Sequence, residues 1–203
     1  MLFILTGDIQ IGKTRWLEEL VHTCQQQGVE VAGVLAPGQW VTSTGPHADT
    51  NGFEKRGINN VLLPQKERLL FAKRNDIALE ENDFDAQAQA AQAKLGWHIS
   101  EEALQKVNNH FAHLHQEAGA PSTPPRLLII DELGRLELMR NGGLTEALSL
   151  LEEGPTEAFP HALIVVRDAL ADTARARFES TWGEVRFISP TASAQKEVLS
   201  TIL

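Results

Sequence analysis

Gly7-Asp8-Ile9-Gln10-Ile11-Gly12-Lys13-Thr14 has the spacing G-x-x-x-x-G-K-[ST], the phosphate-cradling P-loop or Walker A pattern. Each residue type has a job in that chemistry. The glycines permit a tight turn in which backbone N–H groups converge on phosphate oxygens. The helix that follows points the partial positive charge of its N-terminus at the same place. Lys13 can then reach the β- and γ-phosphates as a point charge, and the Thr14 hydroxyl can take one position on Mg²⁺.

A second constellation lies far along the chain. Arg126-Leu127-Leu128-Ile129-Ile130 is a near-continuous apolar run of the kind that buried parallel strands show, and it ends in Asp131-Glu132. Ligands of open parallel sheets bind at the C-terminal ends of the strands. With a P-loop on another strand, Asp131 is the natural partner of Mg²⁺, directly or through water. Side chains alternate along a strand, so Glu132 can be aimed elsewhere, where it could orient and deprotonate a water lined up on the γ-phosphorus. A kinase must keep water from that phosphorus, whereas a hydrolase has to position it. The Asp-Glu ending therefore favours hydrolysis. Without the P-loop upstream, the same pair would read as two solvated carboxylates closing a strand.

The elements that must position these groups follow from the pattern of apolar residues. Met1 to Thr6 is an apolar strand, and Lys13 to about Gln27 is a helix that stops at Gly28, a residue suited to the left-handed C′ position. Val29 to Leu35 is a second strand, and strand–helix–strand at this spacing implies parallel pairing with a right-handed crossover. Residues 36–74 break into short segments separated by Gly, Pro, Asn and Asp, which predicts an inserted β-hairpin or meander. Its basic residues Lys55, Arg56, Lys66, Arg68, Lys73 and Arg74 read as charged edges, or as one or two cations turned toward a nucleotide or substrate. The Ala-Gln run of residues 86–93 has high helix propensity but no strong apolar face, and predicts an exposed helix or a mobile segment ending at Gly96-Trp97. Ser100 caps a helix carrying Leu104, Val107, Phe111 and Leu114 on one stripe. His110, His113 and His115 on that helix read as solvated, and no further ligand completes a metal set at helical spacing.

Residues 120–125, rich in proline, form a stiff connection. Beyond the Asp-Glu strand the pattern predicts a helix from Leu144 to Glu152, a strand from His161 to Val166, a helix from Asp168 to about Ser180, a strand from Glu184 to Ile188 and a C-terminal helix. Alternating β and α without internal repeats points to an α/β fold of three layers with a mainly parallel central sheet. The reading is a single domain over residues 1–203, with the hairpin and a helical insertion occupying about 36–118.

Composition narrows the function classes. A net charge of −9 argues against general nucleic-acid or anionic-membrane binding, because the attraction to phosphate has the wrong sign overall. No apolar stretch approaches a membrane span, the apolar start is too short for a secretory signal, and the single Cys24 reads as a small core residue rather than a nucleophile. The expectation is a cytoplasmic protein whose partner is a nucleoside triphosphate, with residues 36–74 as the surface for any protein partner. Trp40, Trp97 and Trp182 read as core residues before base-stacking ones.

Taken together, Gly7 to Thr14, the run Leu128 to Leu138 (Leu-Ile-Ile-Asp-Glu-Leu-Gly-Arg-Leu-Glu-Leu) and Val165-Val166-Arg167-Asp168 resemble the signature regions of the thermophilic nucleoside-triphosphatase family. The resemblance spans most of the chain, with the first two motifs the specific ones. It implies a P-loop fold of the additional-strand, catalytic-glutamate type and hydrolysis of nucleoside triphosphates to diphosphate and phosphate with Mg²⁺. It further implies that Gly7, Asp8, Ile9, Gln10, Ile11, Gly12, Lys13, Thr14 and Arg15 bind the nucleotide, that Thr14 and Asp131 serve the metal, and that Glu132 is the base for water. Arg167 matches an arginine after a later strand, where it either stabilises charge on the transferred phosphoryl group or caps the sheet. Glu137 matches a family glutamate, with a capping or ion-pair role equally open.

Two departures stand in the loop itself: Gln10 where the family usually has glycine, and Arg15 where a second hydroxyl residue is common. Both bear on rate and nucleotide preference, with Arg15 lying near the α- and β-phosphates. Hydrolysis with broad base tolerance and slow turnover is the leading expectation, because no second arginine is an obvious finger. A small-molecule or nucleotide kinase, and a P-loop accessory protein for a cofactor-assembly partner, are the alternatives.

Overall fold

The computed structural model describes residues 1–118 and 124–203, so most of the proline-rich connection lies outside the described residues. In chain order the strands are β1 (Leu2–Leu5), β2 (Glu30–Leu35), β3 (Gly38–Thr42), β4 (Phe53–Leu63), β5 (Glu67–Arg74), β6 (Trp97–Ile99), β7 (Arg126–Leu133), β8 (His161–Val166) and β9 (Val185–Ile188). The helices are α1 (Lys13–Gln26), α2 (Asn75–Glu80), α3 (Gln89–Gln92), α4 (Glu101–Ala118), α5 (Arg135–Arg140), α6 (Thr145–Glu153), α7 (Asp168–Trp182) and α8 (Ala192–Ile202). No described helix is long and apolar enough to cross a membrane.

All strands join one 9-stranded sheet in the order β6-β5-β4-β2-β7-β8-β1-β9, with β3 paired to β4. The half from β2 to β9 is parallel throughout, and the meander continues it antiparallel through β4 on β2. The insertion is thus an extension of the sheet rather than an appendage. Strand β8 lies between β1, which carries the P-loop, and β7, which carries Asp131-Glu132. This is the additional strand that the family resemblance implied.

Alternation along the buried strands builds two cores. Phe3 and Leu5 of β1, with Leu127, Ile129, Leu163 and Val165, face Leu17, Leu20 and Cys24 of α1 and Val198 of α8. Leu2, Ile4, Leu128, Ile130 and Ile164 face the other way, onto Val107 and Phe111 of α4, Leu148 and Leu151 of α6, and Phe178 of α7. The result is three layers, with each fully buried Leu, Ile or Phe contributing about 1.5–3 kcal/mol.

Several sequence expectations are corrected. The Ala-Gln run is not an exposed helix: α3 is one turn long, and Ala88, Ala90 and Ala93 are buried while Gln87, Gln89 and Gln92 stay exposed. Small side chains make an apolar face that periodicity does not register, and the Gln89 side chain accepts from the Gly143 backbone at 3.1 Å, docking the turn onto the loop before α6. Trp97 does not end a helix but begins β6, a short edge strand on β5. His110 is buried, not solvated; its Nε2 lies 3.1 Å from the Gly33 carbonyl, and burial lowers its pKa. Trp182 is a core residue with its indole donating to the Leu151 carbonyl, whereas Trp40 is 43% exposed on β3.

Candidate active site

The P-loop owes its shape to left-handed backbone at Gly7 (φ 136°), Gln10 (φ 65°) and Gly12 (φ 92°). Alternating turns of this kind aim successive N–H groups into one concavity, an anion nest. The 14-residue helix α1 begins at Lys13 with no side-chain cap and no acidic residue in its first turn, so its leading N–H groups are free to meet an anion. Lys13 folds back over the loop, donating from Nζ to the Gly7 and Asp8 carbonyls at 2.7 Å each. Behind the loop, the Thr6 hydroxyl donates to the Asp168 carboxylate at the start of α7, tying β1 to the end of β8. Ile9, Gln10, Ile11 and Arg15 are exposed around the loop.

Gln10 explains one departure from the family pattern. Glycine is the residue that takes φ > 0 without a Cβ penalty, and Gln10 adopts that conformation at a cost of about 1 kcal/mol.

Asp131 and Glu132 are separated by a break in the sheet. Opposite β8, Ile130 pairs with Ile164 but Leu133 pairs with Val166, so β7 carries an extra residue at this point. Such a bulge re-aims side chains, and Glu132 takes a left-handed φ of 68° within it. The consequence is a division of environments. Asp131 is buried, with Oδ2 accepting from the Ala36 backbone N–H at 2.9 Å; Glu132 is exposed. Burial, reinforced by the negative charge of Glu132, pushes the Asp131 carboxyl up to about 7, while the Ala36 N–H, the Thr14 hydroxyl and the Lys55 ammonium pull it back.

Lys13 reports the convergence of the remaining groups. Burial lowers its pKa, and the charges that act on it are those of Asp168, Glu132, Arg167 and Asp131. Arg167 sits just after β8 as the N-cap residue of α7, exposed, on the same end of the sheet as the P-loop. The structure therefore brings Lys13, Thr14, Asp131, Glu132 and Arg167 to one edge of the parallel strands.

Glu137 resolves differently. It is buried in α5, its Oε2 accepting from the Gly134 N–H at 2.9 Å and its Oε1 from the Leu144 N–H at 3.1 Å. Of the two readings, the capping one is seen; burial raises its pKa. By pinning Gly134, Glu137 fixes the chain that leaves the Asp131-Glu132 bulge.

The donor set fits Mg²⁺. Asp131 Oδ1 is buried and without a hydrogen-bond partner, an orphaned oxygen that a hard cation or its water would satisfy. Among the described residues no group of three or more His, Cys, Asp or Glu side chains could hold a metal ion. One carboxylate and one hydroxyl, completed by water and substrate phosphate, is the sparse protein ligation that Mg²⁺ accepts.

The sequence reading gave no role to Asp168, Thr6 or Ala36. Asp168 was visible at the end of an apolar strand, but its bond to Thr6 spans the length of the chain and no local pattern encodes it.

The family described as NTPase matches residues 2–161, a stretch that contains the P-loop and the Asp131-Glu132 pair and ends before Arg167. No match is found among curated proteins or among solved structures. With that match covering well over half of its length, the chain belongs to the NTPase family.

Proposed function

We propose that this chain is a cytoplasmic, Mg²⁺-dependent nucleoside triphosphatase that hydrolyses the β–γ bond to yield diphosphate and phosphate, with broad base tolerance and slow turnover. The observation that carries the reading is the bulge at the end of β7: it leaves one carboxylate buried with an orphaned oxygen and the next one exposed at the same end of the parallel strands. In a kinase such a carboxylate would serve an acceptor hydroxyl instead of water, which is why transfer to an added acceptor is the contrasting outcome.

In this reading the loop from Gly7 to Arg15 holds the phosphates through backbone N–H groups, and Lys13 leaves the Gly7 and Asp8 carbonyls for phosphate oxygens. Thr14 and Asp131 would hold Mg²⁺, which when bound neutralises charge developing on the bridging and terminal oxygens. Glu132 accepts a hydrogen bond from a water and takes its proton as the water attacks the γ-phosphorus. Arg167 faces the charge that accumulates on the transferred phosphoryl group. Slow turnover follows because no second arginine in the chain is an obvious finger.

The test is phosphate release from ATP, GTP, CTP and UTP, with and without Mg²⁺, by the unmutated chain and Glu132→Gln. Loss of a general base costs about 10²–10⁴-fold in rate, so Glu132→Gln should bind nucleotide yet release almost no phosphate. Full release by that variant, or transfer to an added acceptor with none to water, would overturn the assignment.

A further inference from the structure

Of the six basic residues of the meander, Lys55, Arg56, Lys66 and Arg68 form no salt bridge among the described residues, and of these four only Lys55 lies over an aromatic ring. Lys73 pairs with Glu81 and Asp83, and Arg74 with Glu54 and Asp76, so those charges are neutralised within the fold. Lys55 has no salt bridge among the described residues. Its Nζ lies 5.4 Å from the centre of the Trp97 ring. Its Cε packs on Gly38, where an added Cβ would stand 2.7 Å from it and 2.6 Å from the Trp40 indole nitrogen. Trp40 is also its cross-strand partner. The Lys55 side chain is thus held beside two indoles, an arrangement that keeps a cation in place without giving it an anion.

Its location makes that missing anion informative. Gly38 is two residues from Ala36, whose N–H donates to Asp131. In the strand order β4-β2-β7-β8-β1, Lys55 lies on the β4 side and Lys13 follows β1, with the Asp131-Glu132 bulge between them. The groups acting on Lys13 are mostly negative: Asp168, Glu132 and Asp131 against Arg167. A polyanion entering this site, in a chain of net charge −9, meets an excess of carboxylates unless a cation waits on the far side.

We propose that Lys55, held against Trp40 and Trp97, is a second cationic subsite that contacts the terminal phosphate of a bound nucleoside triphosphate from the side opposite Lys13. This rests on the nucleoside-triphosphate reading above. Because a diphosphate lacks that terminal group, Lys55 serves as the element that distinguishes substrate from product.

Calorimetric titration of the full chain with Mg²⁺ and either the β,γ-imido analogue of ATP or ADP separates the possibilities, using Lys55→Met and Lys55→Arg. A charge-assisted contact corresponds to about a tenfold to hundredfold change in affinity. Lys55→Met should lose that much toward the imido triphosphate while its ADP affinity changes less than about twofold, and Lys55→Arg should restore most of the difference. Equal losses for both ligands, which a merely structural role would give, or no loss for either, overturn the proposal. Neither arm depends on turnover. Phosphate release surviving in Glu132→Gln would therefore sink the hydrolytic assignment and leave Lys55 standing. Failure of the unmutated chain to bind the imido triphosphate would overturn both.

Discussion

Replacing Asp131 by Asn should make the metal-free protein more stable above neutral pH, although it removes the proposed Mg²⁺ ligand. The reasoning starts from burial. Asp131 is 2% exposed, and its carboxyl rises from 3.8 to about 7 on folding, chiefly because burial disfavours its charge and secondly because Glu132 is negative. A group whose folded pKa is raised binds more protons in the folded state between the two values, so stability falls as pH climbs from about 4 to about 7 and stays reduced beyond. The full difference corresponds to about 4 kcal/mol. Asn keeps an acceptor for the Ala36 N–H but leaves a neutral amide where Oδ1 is now unpartnered, which costs about 1–3 kcal/mol. The net gain at pH 8 is about 1–3 kcal/mol, or roughly 2–12 °C in Tm for a chain of this length.

As pH falls from about 7 toward 4 the order reverses, because an increasingly protonated Asp131 loses its charge penalty while the amide keeps its own. Thermal melts in EDTA from pH 4 to 9 would show the two curves crossing. Adding Mg²⁺ should then raise the Tm of the unmutated protein and leave that of Asp131→Asn nearly unchanged, since only the former holds an anionic ligand for the ion. Parallel curves at every pH, or equal Mg²⁺ shifts, would refute both the buried-charge argument and the metal assignment.

Gln10→Gly should relieve the left-handed strain at the loop. We expect a change in stability within about 1 kcal/mol, because the glycine's extra unfolded-state entropy offsets the relief, together with a shift in KM for nucleotide read from steady-state phosphate release. Glu137→Ala leaves the Gly134 and Leu144 N–H groups without their acceptors, at about 1–3 kcal/mol each, and lets the exit of the bulge relax. Urea denaturation should record the loss of stability. A kcat that falls further than KM rises would mark Glu137 as positioning Glu132 rather than merely holding the fold.

The inner strands of the parallel half, β1, β7 and β8, were legible because they are buried on both faces and so read as apolar runs. The P-loop was legible for a different reason: its residue types are dictated by backbone geometry around a phosphate. What the sequence did not reveal were arrangements made by contact between distant segments. The alanines of α3 carry too little apolar surface to register as a face, yet their size is what lets that turn dock. His110 lies three residues after Val107 and four before Leu114, on the flank of the apolar stripe of α4, and the Gly33 carbonyl across the layer gives its ring nitrogen a partner there that no local pattern encodes.

Asp131-Glu132 shows where the line falls within the site itself. Alternation along a regular strand already predicts that two adjacent carboxylates face opposite ways, and that would suffice to separate a metal ligand from a base. It would also send one of them into a hydrophobic layer, since β7 is covered on both faces. The bulge removes that conflict. Register with β8 slips between Ile130 and Leu133, Asp131 keeps the buried position with a backbone N–H to satisfy one oxygen, and Glu132 leaves the pleat through a left-handed backbone that only the surrounding sheet and the Glu137–Gly134 bond can hold. Non-glycine residues in that conformation cost about 1–3 kcal/mol and persist where the fold over-determines them. If Glu132 were a solvated strand end, nothing would oppose relaxing it to extended backbone. A strained backbone retained at the end of the parallel strands is what the proposed role of Glu132, orienting a water, would require.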